Sequence, residues 1–367
     1  MQHSTTICLV IILLDFILAS RSPAGELQHI QVAKEGKSFV FAESGKPFVP
    51  WGVNYDHDGE GRLIEDYWHD EWATVLEDFE EIKALGANVV RVHLQFGKFM
   101  VASDRPNDRE LKRLARLVSL AEEKQLYLDV TGLGCYHKDD VPAWYDELDE
   151  GERWQAQANF WEAVAKTCAD SPAIFCYDLM NEPVVPGGDK KNQPWLGPAF
   201  ASKHFVQRIS QDRDGRERPD IAAAWIKTLV AAIKKHDQRH MITVGLVPWS
   251  LDRKGLTSGF VPEKIHAELD FIAMHIYPES GKLDEALETV KGFDVGKPIV
   301  IEETFPLKCR PEELVTFIER TKPHAAGWIS FYWGEHVAEL REQKTLIAAI
   351  KAKWFNEFEK LGREIRE

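Results

Sequence analysis

The chain has 367 residues, 44% of them hydrophobic and 28% charged, a composition that excludes an intrinsically disordered or collagen-like protein. Its 45 basic and 59 acidic residues give a formal charge of −14, which disfavours binding to nucleic acid or anionic membranes and suits a neutral or cationic ligand. The length fits either two domains or one α/β barrel of about 250 residues or more.

The N-terminal segment is typical of a signal peptide. Residues 7–19 are apolar except for Asp15, and this run is too short to span a membrane. Small residues that suit cleavage follow between positions 19 and 24. We therefore expect residues 1–24 to be removed and the mature chain, 25–367, to be secreted or periplasmic. No later segment has the length of a membrane span.

The cysteines of the mature chain show no metal-binding pattern. Cys8 lies within the signal, and Cys135, Cys168, Cys176 and Cys309 lack metal-site spacing. We expect buried free thiols rather than a disulfide framework, while a disulfide among these four stays open.

After the signal, short strands are followed by alternating strands and helices. Turns at residues 35–37 and 44–46 break the apolar alternation of residues 31–55 and predict an N-terminal β-hairpin. Eight short apolar runs predict the strands of a larger sheet, at 50–55, 89–93, 126–130, 174–179, 241–245, 271–276, 299–303 and 327–333. Amphipathic helices are predicted between and after them, for example at 108–124, 225–236 and 345–358.

Eight strands that each lead into a helix or a long connection predict a parallel sheet that closes as a (β/α)8 TIM barrel. The alternative, an open doubly wound sheet, requires a glycine-rich phosphate turn after its first strand, and residues 52–57 lack this motif. We therefore expect a single barrel domain over residues 25–367. The long segment 184–220 after strand 4 is predicted to be an insertion close to the functional site.

Polar and aromatic residues concentrate at the carboxyl ends of the predicted strands, where the active site of a barrel lies. Glu182 follows the fourth strand, and Glu302 and Glu303 end the seventh. Two carboxylates that face each other across a barrel are the arrangement that glycoside hydrolysis needs. The other residues of this rim are Asn54, Arg91, His93, Asn181, His275, Tyr277 and Trp333.

These motifs resemble clan A glycoside hydrolases, especially family 5, the cellulase and β-mannanase family. The resemblance covers roughly residues 30–358 and is carried by an ordered set of motifs at the expected strands. They are Asn181-Glu182-Pro183, His275-x-Tyr277-Pro278, Lys297-Pro298 with Glu303 five residues after the proline, and Trp333.

The resemblance implies a retaining hydrolase of β-linked glycans of the β-mannan or β-glucan type, similar to an endo-β-mannanase or endo-β-glucanase, with Glu182 as general acid/base and Glu303 as nucleophile, their carboxyls about 5–5.5 Å apart. It implies that Asn181 binds the sugar 2-hydroxyl and that His275 lies beside the acid/base or the sugar. The remaining implied roles are Tyr277 and Arg91 as residues that hold the nucleophile and keep it ionised, and Trp333 as the floor of the sugar subsite.

Two features of the sequence complicate this assignment. Strand alternation allows only one of Glu302 and Glu303 to face the barrel interior, and the family register selects Glu303, so we expect Glu302 to face the helices. In addition, Thr131 stands where family 5 enzymes commonly have a histidine after the third strand.

Further candidates for sugar contact are Trp51, Asn54, His93, Trp195 and Trp249. We expect an oligo- or polysaccharide substrate, a monomer, no nucleic-acid partner and no cofactor or catalytic metal. If the insertion closes the cleft into a pocket, the enzyme is instead an exo-acting glycosidase or a transglycosylase. A catalytically silent barrel that binds glycans is a third hypothesis, and the sequence does not identify the sugar.

Overall fold

The computed structural model describes residues 27–253 and 256–366, and the predicted signal peptide lies outside them. Eight parallel strands form a closed barrel, which confirms the predicted (β/α)8 fold. The strands are β1 (Trp51–Tyr55), β2 (Val89–Gln95), β3 (Tyr127–Gly134), β4 (Ile174–Asn181), β5 (Met241–Leu246), β6 (Ile272–His275), β7 (Ile299–Thr304) and β8 (Gly327–Ser330).

One helix follows each barrel strand. These helices are α1 (Trp72–Ala84), α2 (Asp108–Lys124), α3 (Glu150–Cys168), α4 (Arg218–Ile233), α5 (Pro262–Ile265), α6 (Leu283–Gly292), α7 (Pro311–Thr321) and α8 (Leu346–Arg366). Shorter helical turns lie at Ile64–Tyr67, Phe96–Phe99, Lys138–Asp140, Ala143–Glu147, Pro248–Ser250, His266–Glu268 and Val337–Glu342, and Met100–Ala102 pairs with Arg105–Pro106. Among the residues described, no helix is long and apolar enough to cross a membrane.

The barrel strands are buried on both faces, since helices cover the outside and side chains fill the inside. Every residue of β2, β3 and β4 is buried. A buried parallel strand is a continuous apolar run, which explains why the eight predicted runs coincide with the observed strands to within a few residues. Two differences affect the site: β3 extends to Gly134 instead of residue 130, and β8 ends at Ser330 instead of residue 333.

A small antiparallel sheet closes the amino-terminal end of the barrel. It contains Ile30–Val32, Phe39–Phe41 and Pro47–Phe48, one strand more than the predicted hairpin. The ring of Phe39 packs edge-on against Phe175 and Phe271, at centroid distances of 5.3 and 5.4 Å. These apolar contacts close the amino-terminal end of the barrel, so the functional site is expected at the carboxyl ends of the strands.

The insertion after β4 lies across the mouth of the barrel. Pro183–Val184 pairs in parallel with Gln207–Arg208, and α4 begins at Arg218. The backbone N–H of His204 donates to the carbonyl of Tyr136 at 3.0 Å, and Nε2 of Gln207 donates to the carbonyl of Leu133 at 2.8 Å. These bonds fasten the insertion to the segment that ends β3 and follows it.

The four cysteines of the described chain are free thiols, as expected. Cys135, Cys168 and Cys176 are buried, and Cys309 is half-buried. Burial raises the pKa of the Cys135 thiol to about 12, so this thiol stays protonated at neutral pH.

Candidate active site

Arg91 on β2 is the cationic centre of the barrel mouth and is completely buried. Its Nη1 donates to Oδ1 of Asn54 at 2.8 Å and to Oε1 of Glu303 at 2.7 Å. Its Nη2 donates to Oδ2 of Asp178 at 2.7 Å and to Oδ1 of Asn181 at 3.0 Å. One guanidinium therefore fixes side chains from β1, β4 and β7 relative to one another.

Glu303 on β7 is held by two donors. Oε1 accepts the bond from Arg91, and Oε2 accepts one from the hydroxyl of Tyr277 at 2.7 Å. Burial raises the pKa of Glu303, and the nearby charges of His275 and Arg91 oppose that rise. The carboxylate is thus fixed in one orientation, as a nucleophile must be.

Glu182 directly follows β4 in a strained backbone conformation. Its φ is +48°, in the left-handed region, although it precedes Pro183, which favours extended backbone in the preceding residue. Such a conformation costs about 1–3 kcal/mol. Its N–H donates to the carbonyl of Gly245 at 3.0 Å, which helps to hold the conformation, and the side chain remains partly exposed.

His275 at the end of β6 lies between the two carboxylates predicted to carry catalysis. Its Nδ1 is 3.1 Å from Oε1 of Glu182 and 3.4 Å from Oε2 of Glu303. Burial alone lowers the pKa of His275, but the charge of Glu303 and hydrogen bonds to Glu182 and Glu302 raise it to about 10. A pKa raised in this way favours the imidazolium form, in which both ring nitrogens can donate.

The expectation that Glu302 faces the helices is wrong. Its Oε2 lies 3.2 Å from Nε2 of His275 and 3.5 Å from Nη2 of Arg91, inside the barrel. The pairing of β7 with both of its neighbours is irregular at this point, between Met274 and His275 on β6 and between Ile301 and Thr304 on β7 itself. An irregular register interrupts strict alternation, so consecutive residues both face the site.

Thr131 is part of the buried network at the position where the family commonly has histidine. Its hydroxyl donates to Oδ2 of Asp178 at 2.8 Å, and Oδ1 of Asp178 accepts from the N–H of Gly245 at 2.7 Å. A Cβ on Gly245 would lie 2.9 Å from Nε2 of His275 and 3.2 Å from Nη2 of Arg91. Glycine at this position therefore makes room for both cationic side chains.

Two sets of side chains have potential metal-ligating atoms within 4.8 Å of one another: Glu182, His275 and Glu303, and Asp129, Asp178 and Glu302. Each set already contains or contacts a side-chain cation, His275 in the first and Arg91 in the second. The geometry supports acid–base chemistry by side chains. The absence of a catalytic metal stays a prediction.

Asn54 and His93 lie beneath the catalytic residues. Nδ2 of Asn54 donates to the carbonyls of Glu302 and Ser330, at 3.0 and 3.1 Å. Burial and the charge of Arg91 lower the pKa of His93, so its ring is neutral. Its Nε2 donates to Oδ1 of Asn54 at 3.0 Å, and its Nδ1 accepts from the hydroxyl of Tyr136 at 2.5 Å. Both buried residues are occupied by protein bonds, which indicates support of the site rather than contact with sugar.

Trp333 was predicted to form the floor of the sugar subsite, but it is packed inside the protein. It is 1% exposed and packs against Phe355 of α8 at 5.6 Å, because it lies three residues beyond the end of β8, where strand alternation no longer sets its direction. Phe331 takes the position at the mouth instead. Its ring is half-buried and lies 5.8 Å from that of Tyr277, edge to face.

Two further tryptophans predicted as sugar contacts are packing residues. Trp51 is 1% exposed, starts β1 at the far end of the barrel and stacks on Phe358 at 4.5 Å. Trp195 is 4% exposed, and the guanidinium of Arg153 covers its ring at 4.4 Å. A sugar cannot stack on a covered ring, so neither is a platform.

Trp249 is the predicted tryptophan that keeps an open face. It is 44% exposed in the turn after β5. With Glu182, His275 and Tyr277 it lines a cavity of about 780 Å³. This cavity gives the exposed ring access to a ligand at Glu182.

Several residues of the site were missed by the sequence argument. Phe205 of the insertion lies 5.0 Å from the ring of Tyr136 and 6.4 Å from that of Phe331, and its carbonyl accepts from Nδ2 of Asn181 at 3.1 Å. Asp178 sits inside β4, three residues before the Asn181 motif, and could have been found as a charged residue in an otherwise apolar strand.

A sequence profile of the cellulases, glycosyl hydrolase family 5, matches residues 42–306, which is more than half of the chain. The chain belongs to glycosyl hydrolase family 5. The family is one of glycoside hydrolases, and a glycan substrate is consistent with this membership. A comparison with curated proteins gave no significant match.

Solved structures of family 5 proteins share the fold. An exo-β-1,4-mannosidase from Opitutaceae bacterium strain TAV5 aligns with a TM-score of 0.67 at 15% identity, over 91% of this chain and 62% of its own, so the chain spans less than two thirds of that protein. A GH5_18 protein from Bifidobacterium longum gives 0.66 at 14% identity, covering 87% and 80%. An endo-1,4-β-mannanase from Rhizomucor miehei gives 0.62 at 18% identity, covering 92% and 100%.

Proposed function

We propose that the protein is a retaining β-mannosidase that removes single mannosyl units from the non-reducing end of β-linked oligosaccharides. The observation that carries the proposed reaction is the approach of Glu182 and Glu303, whose nearest side-chain oxygens lie within 4.8 Å of each other. Retaining enzymes place their carboxyls about 5–5.5 Å apart, whereas inverting enzymes leave about 6.5–9.5 Å for a water molecule.

The chemistry follows from this geometry in two steps. Protonated Glu182 donates its proton to the glycosidic oxygen while the Glu303 carboxylate attacks the anomeric carbon, which releases the leaving sugar and forms a glycosyl ester. Glu182, now ionised, then removes a proton from water as that water attacks the anomeric carbon, whose bond to the Glu303 oxygen breaks, so the free Glu303 carboxylate is restored. Asn181 has one amide hydrogen bonded to Phe205 and a second available to the sugar 2-hydroxyl.

The insertion supports attack at a chain end. Phe205 packs between Tyr136 and Phe331, and its carbonyl binds Asn181; Phe331 in turn contacts Tyr277, which binds the nucleophile. The loops after β1 and β8 meet on the same side, where a Cβ on Gly334 would lie 2.5 Å from the carbonyl of His57. We infer that these contacts form a wall where the sugar beyond the attacked unit would continue, which leaves room for a single unit.

The acid/base side is open by contrast. The cavity of about 780 Å³ reaches Glu182 and is bordered by the exposed ring of Trp249 and by Arg253 and Lys282. A leaving group protonated by Glu182 must sit on this side, and a volume of this size admits a leaving chain of more than one sugar.

Mannose is the sugar favoured by the names of the structurally similar proteins. They include the exo-β-1,4-mannosidase, endo-1,4-β-mannanases, and GH5_18 variants in complex with Manβ1-4GlcNAc. Their names support a β-mannoside as substrate, while both exo and endo action occur among them. The enclosed nucleophile side favours exo action in this chain.

Product analysis of β-1,4-mannopentaose carrying a fluorescent tag at its reducing end tests this proposal. We expect tagged mannotetraose and free mannose as the first products, because only the terminal unit fits the walled side. Early formation of tagged mono-, di- and trisaccharides would show endo action and refute the exo proposal. Faster cleavage of tagged cellopentaose than of mannopentaose would refute the sugar assignment.

A substitution of Phe205 tests, by the same product analysis, whether this residue restricts binding to one sugar unit. Phe205→Ala is expected to admit internal units and to add shorter tagged products. The matched control is Phe200→Ala in the same insertion, because Phe200 is 72% exposed and should leave the product pattern unchanged. Identical product patterns from both variants would show that Phe205 does not restrict binding.

A further inference from the structure

A second group of carboxylates lies buried below the catalytic pair. Asp129 on β3, Asp178 on β4 and Glu302 on β7 have oxygens within 4.8 Å of one another, and each residue is completely buried. The carboxylate of Asp178 accepts hydrogen bonds from Arg91, Thr131 and the backbone of Gly245, and these donors stabilise its negative charge. Glu302 meets His275 and Arg91 through Oε2 alone, and besides Glu302 the Cys176 thiol is a hydrogen-bond partner of Asp129.

The contacts of Asp129 and Glu302 favour a proton shared between them. Both side-chain oxygens of Asp129 and Oε1 of Glu302 are buried without a bond from any nitrogen or hydroxyl donor in the described chain. Two ionised carboxylates this close in a dry interior repel strongly, and one shared proton removes the repulsion and supplies the missing bond. Burial and the charge of Glu302 raise the pKa of Asp129. Burial also raises the pKa of Glu302, but Arg91 and His275 outweigh it and lower that pKa. The shared proton is therefore assigned to Asp129.

We propose that Glu302 is a positioning residue that holds His275 as an imidazolium, with Asp129 supplying the shared proton, so that His275 serves whichever catalytic carboxylate is charged. The proposal rests on the proposed double displacement at Glu182 and Glu303. Nε2 of His275 binds Glu302 at 3.2 Å, which leaves Nδ1–H for Glu182 at 3.1 Å and Glu303 at 3.4 Å.

This arrangement suits the movement of charge during the reaction. Before the first step Glu303 is ionised and Glu182 is protonated; after it Glu303 is an ester and Glu182 is ionised. A cation within reach of both stabilises each state without moving far. No atom is transferred from Glu302, whose negative charge keeps the proton on His275.

The titratable and charged groups around His275 come from several elements of the barrel; Glu303, Glu182 and Glu302 raise its pKa, whereas Arg91 lowers it. Arg91 and neutral His93 come from β2, Asp129 from β3, and Asp178 and Glu182 from β4 and the residue after it. Glu302 and Glu303 belong to β7, and Tyr277 follows β6. Among these, Glu302 is the residue that binds Nε2.

The test is the protonation state of His275, followed by NMR of the ¹⁵N-histidine-labelled full chain and assigned through the missing signals of His275→Gln. In the wild-type protein we expect both ring nitrogens to stay protonated through pH 8. Glu302→Gln should shift the titration of His275 downward by about two pH units or more, because burial then acts without its counter-charge. It should also lower kcat roughly 10–100-fold through loss of positioning, with KM changed much less.

Two further variants distinguish this role from a structural one. In Asp129→Asn the amide donates to Glu302 as the shared proton does, so His275 should remain an imidazolium. Glu110→Gln is the matched control, since Glu110 is buried against His69 and Trp68 outside the barrel, and kcat should not change.

Specific outcomes would overturn the proposal. They are a neutral His275 at pH 7 in the wild-type protein, an unchanged titration in Glu302→Gln, or loss of the imidazolium in Asp129→Asn. The wild-type and Asp129→Asn spectra decide the matter even if Glu302→Gln does not fold. Failure of the proposed function would show separately, as a wild-type protein with a protonated His275 but no activity on β-mannosides.

Discussion

Replacing Glu303 with glutamine is expected to lower kcat on an aryl β-mannoside by roughly 10⁴-fold or more, because the amide cannot form the glycosyl ester. The substitution keeps the shape of the side chain: the glutamine carbonyl oxygen can still accept the bond from Arg91, and its amide nitrogen can donate to the hydroxyl of Tyr277. The fold should therefore survive, as checked by circular dichroism and by the thermal unfolding midpoint. A folded Glu303→Gln variant with wild-type kcat would show that another residue is the nucleophile.

The matched substitution Glu182→Gln separates the two roles. An acid/base is needed only when the leaving oxygen requires a proton, so the first step should be slowed far less for a dinitrophenyl glycoside than for an oligosaccharide. Azide, which needs no general base, should then restore turnover of the dinitrophenyl substrate. Equal losses on both substrates, with no effect of azide, would contradict the assignment of Glu182.

Replacing Arg91 with methionine is expected to lower the free energy of unfolding by about 3–5 kcal/mol, besides abolishing activity. The reason is that Asp178 and Glu303 would lose their shared buried cation, and Asn54 and Asn181 would each lose a donor. Burying an unpaired carboxylate costs far more than losing a surface ion pair. Urea-induced unfolding at neutral pH measures the effect.

A control for the loss of a buried arginine is Arg153→Met. Arg153 is also buried, stacks on Tyr145 and Trp195, and donates to the carbonyl of Tyr145, but it does not touch the catalytic carboxylates. This variant should be less stable than wild type and retain the kcat of its folded fraction. An Arg91→Met variant that unfolds at the wild-type urea concentration would contradict the view of Arg91 as the charged centre.

The fold was predictable because burial on both faces turns each barrel strand into a continuous apolar run. Helix α2 was predicted at its observed bounds because its apolar residues repeat at helical spacing, and in the structure Asn107 caps its start. The family motifs also singled out Glu182 and Glu303, and the structure brings both to His275.

The errors arose where chain periodicity stops. Alternation places Glu302 outside the barrel, but the irregular register of β7 turns it inward. Strand alternation does not determine the direction of Trp333, because β8 ends at Ser330. Phe331 lies at the mouth instead. No local pattern could show either result, since both depend on pairing between strands.

The insertion was visible in the sequence only as a long break in the rhythm of strands and helices. Its position depends on tertiary contacts, such as those of Phe205 with Tyr136 and Phe331. Likewise, the covered faces of Trp51 and Trp195 depend on Phe358 and Arg153, which lie far away in the chain. Residue type identified these tryptophans as candidates but did not reveal what packs on them.

The central claim is that Glu303 forms a covalent glycosyl ester, and trapping that ester tests it most directly. A 2-deoxy-2-fluoro-β-mannoside with a dinitrophenyl leaving group slows both steps, but the good leaving group speeds the first, so the intermediate should accumulate. Mass spectrometry of the intact chain and of its peptides should then show one fluorosugar per chain, attached to Glu303. Attachment to a different residue, or hydrolysis whose first-formed sugar has the inverted configuration, would contradict the account.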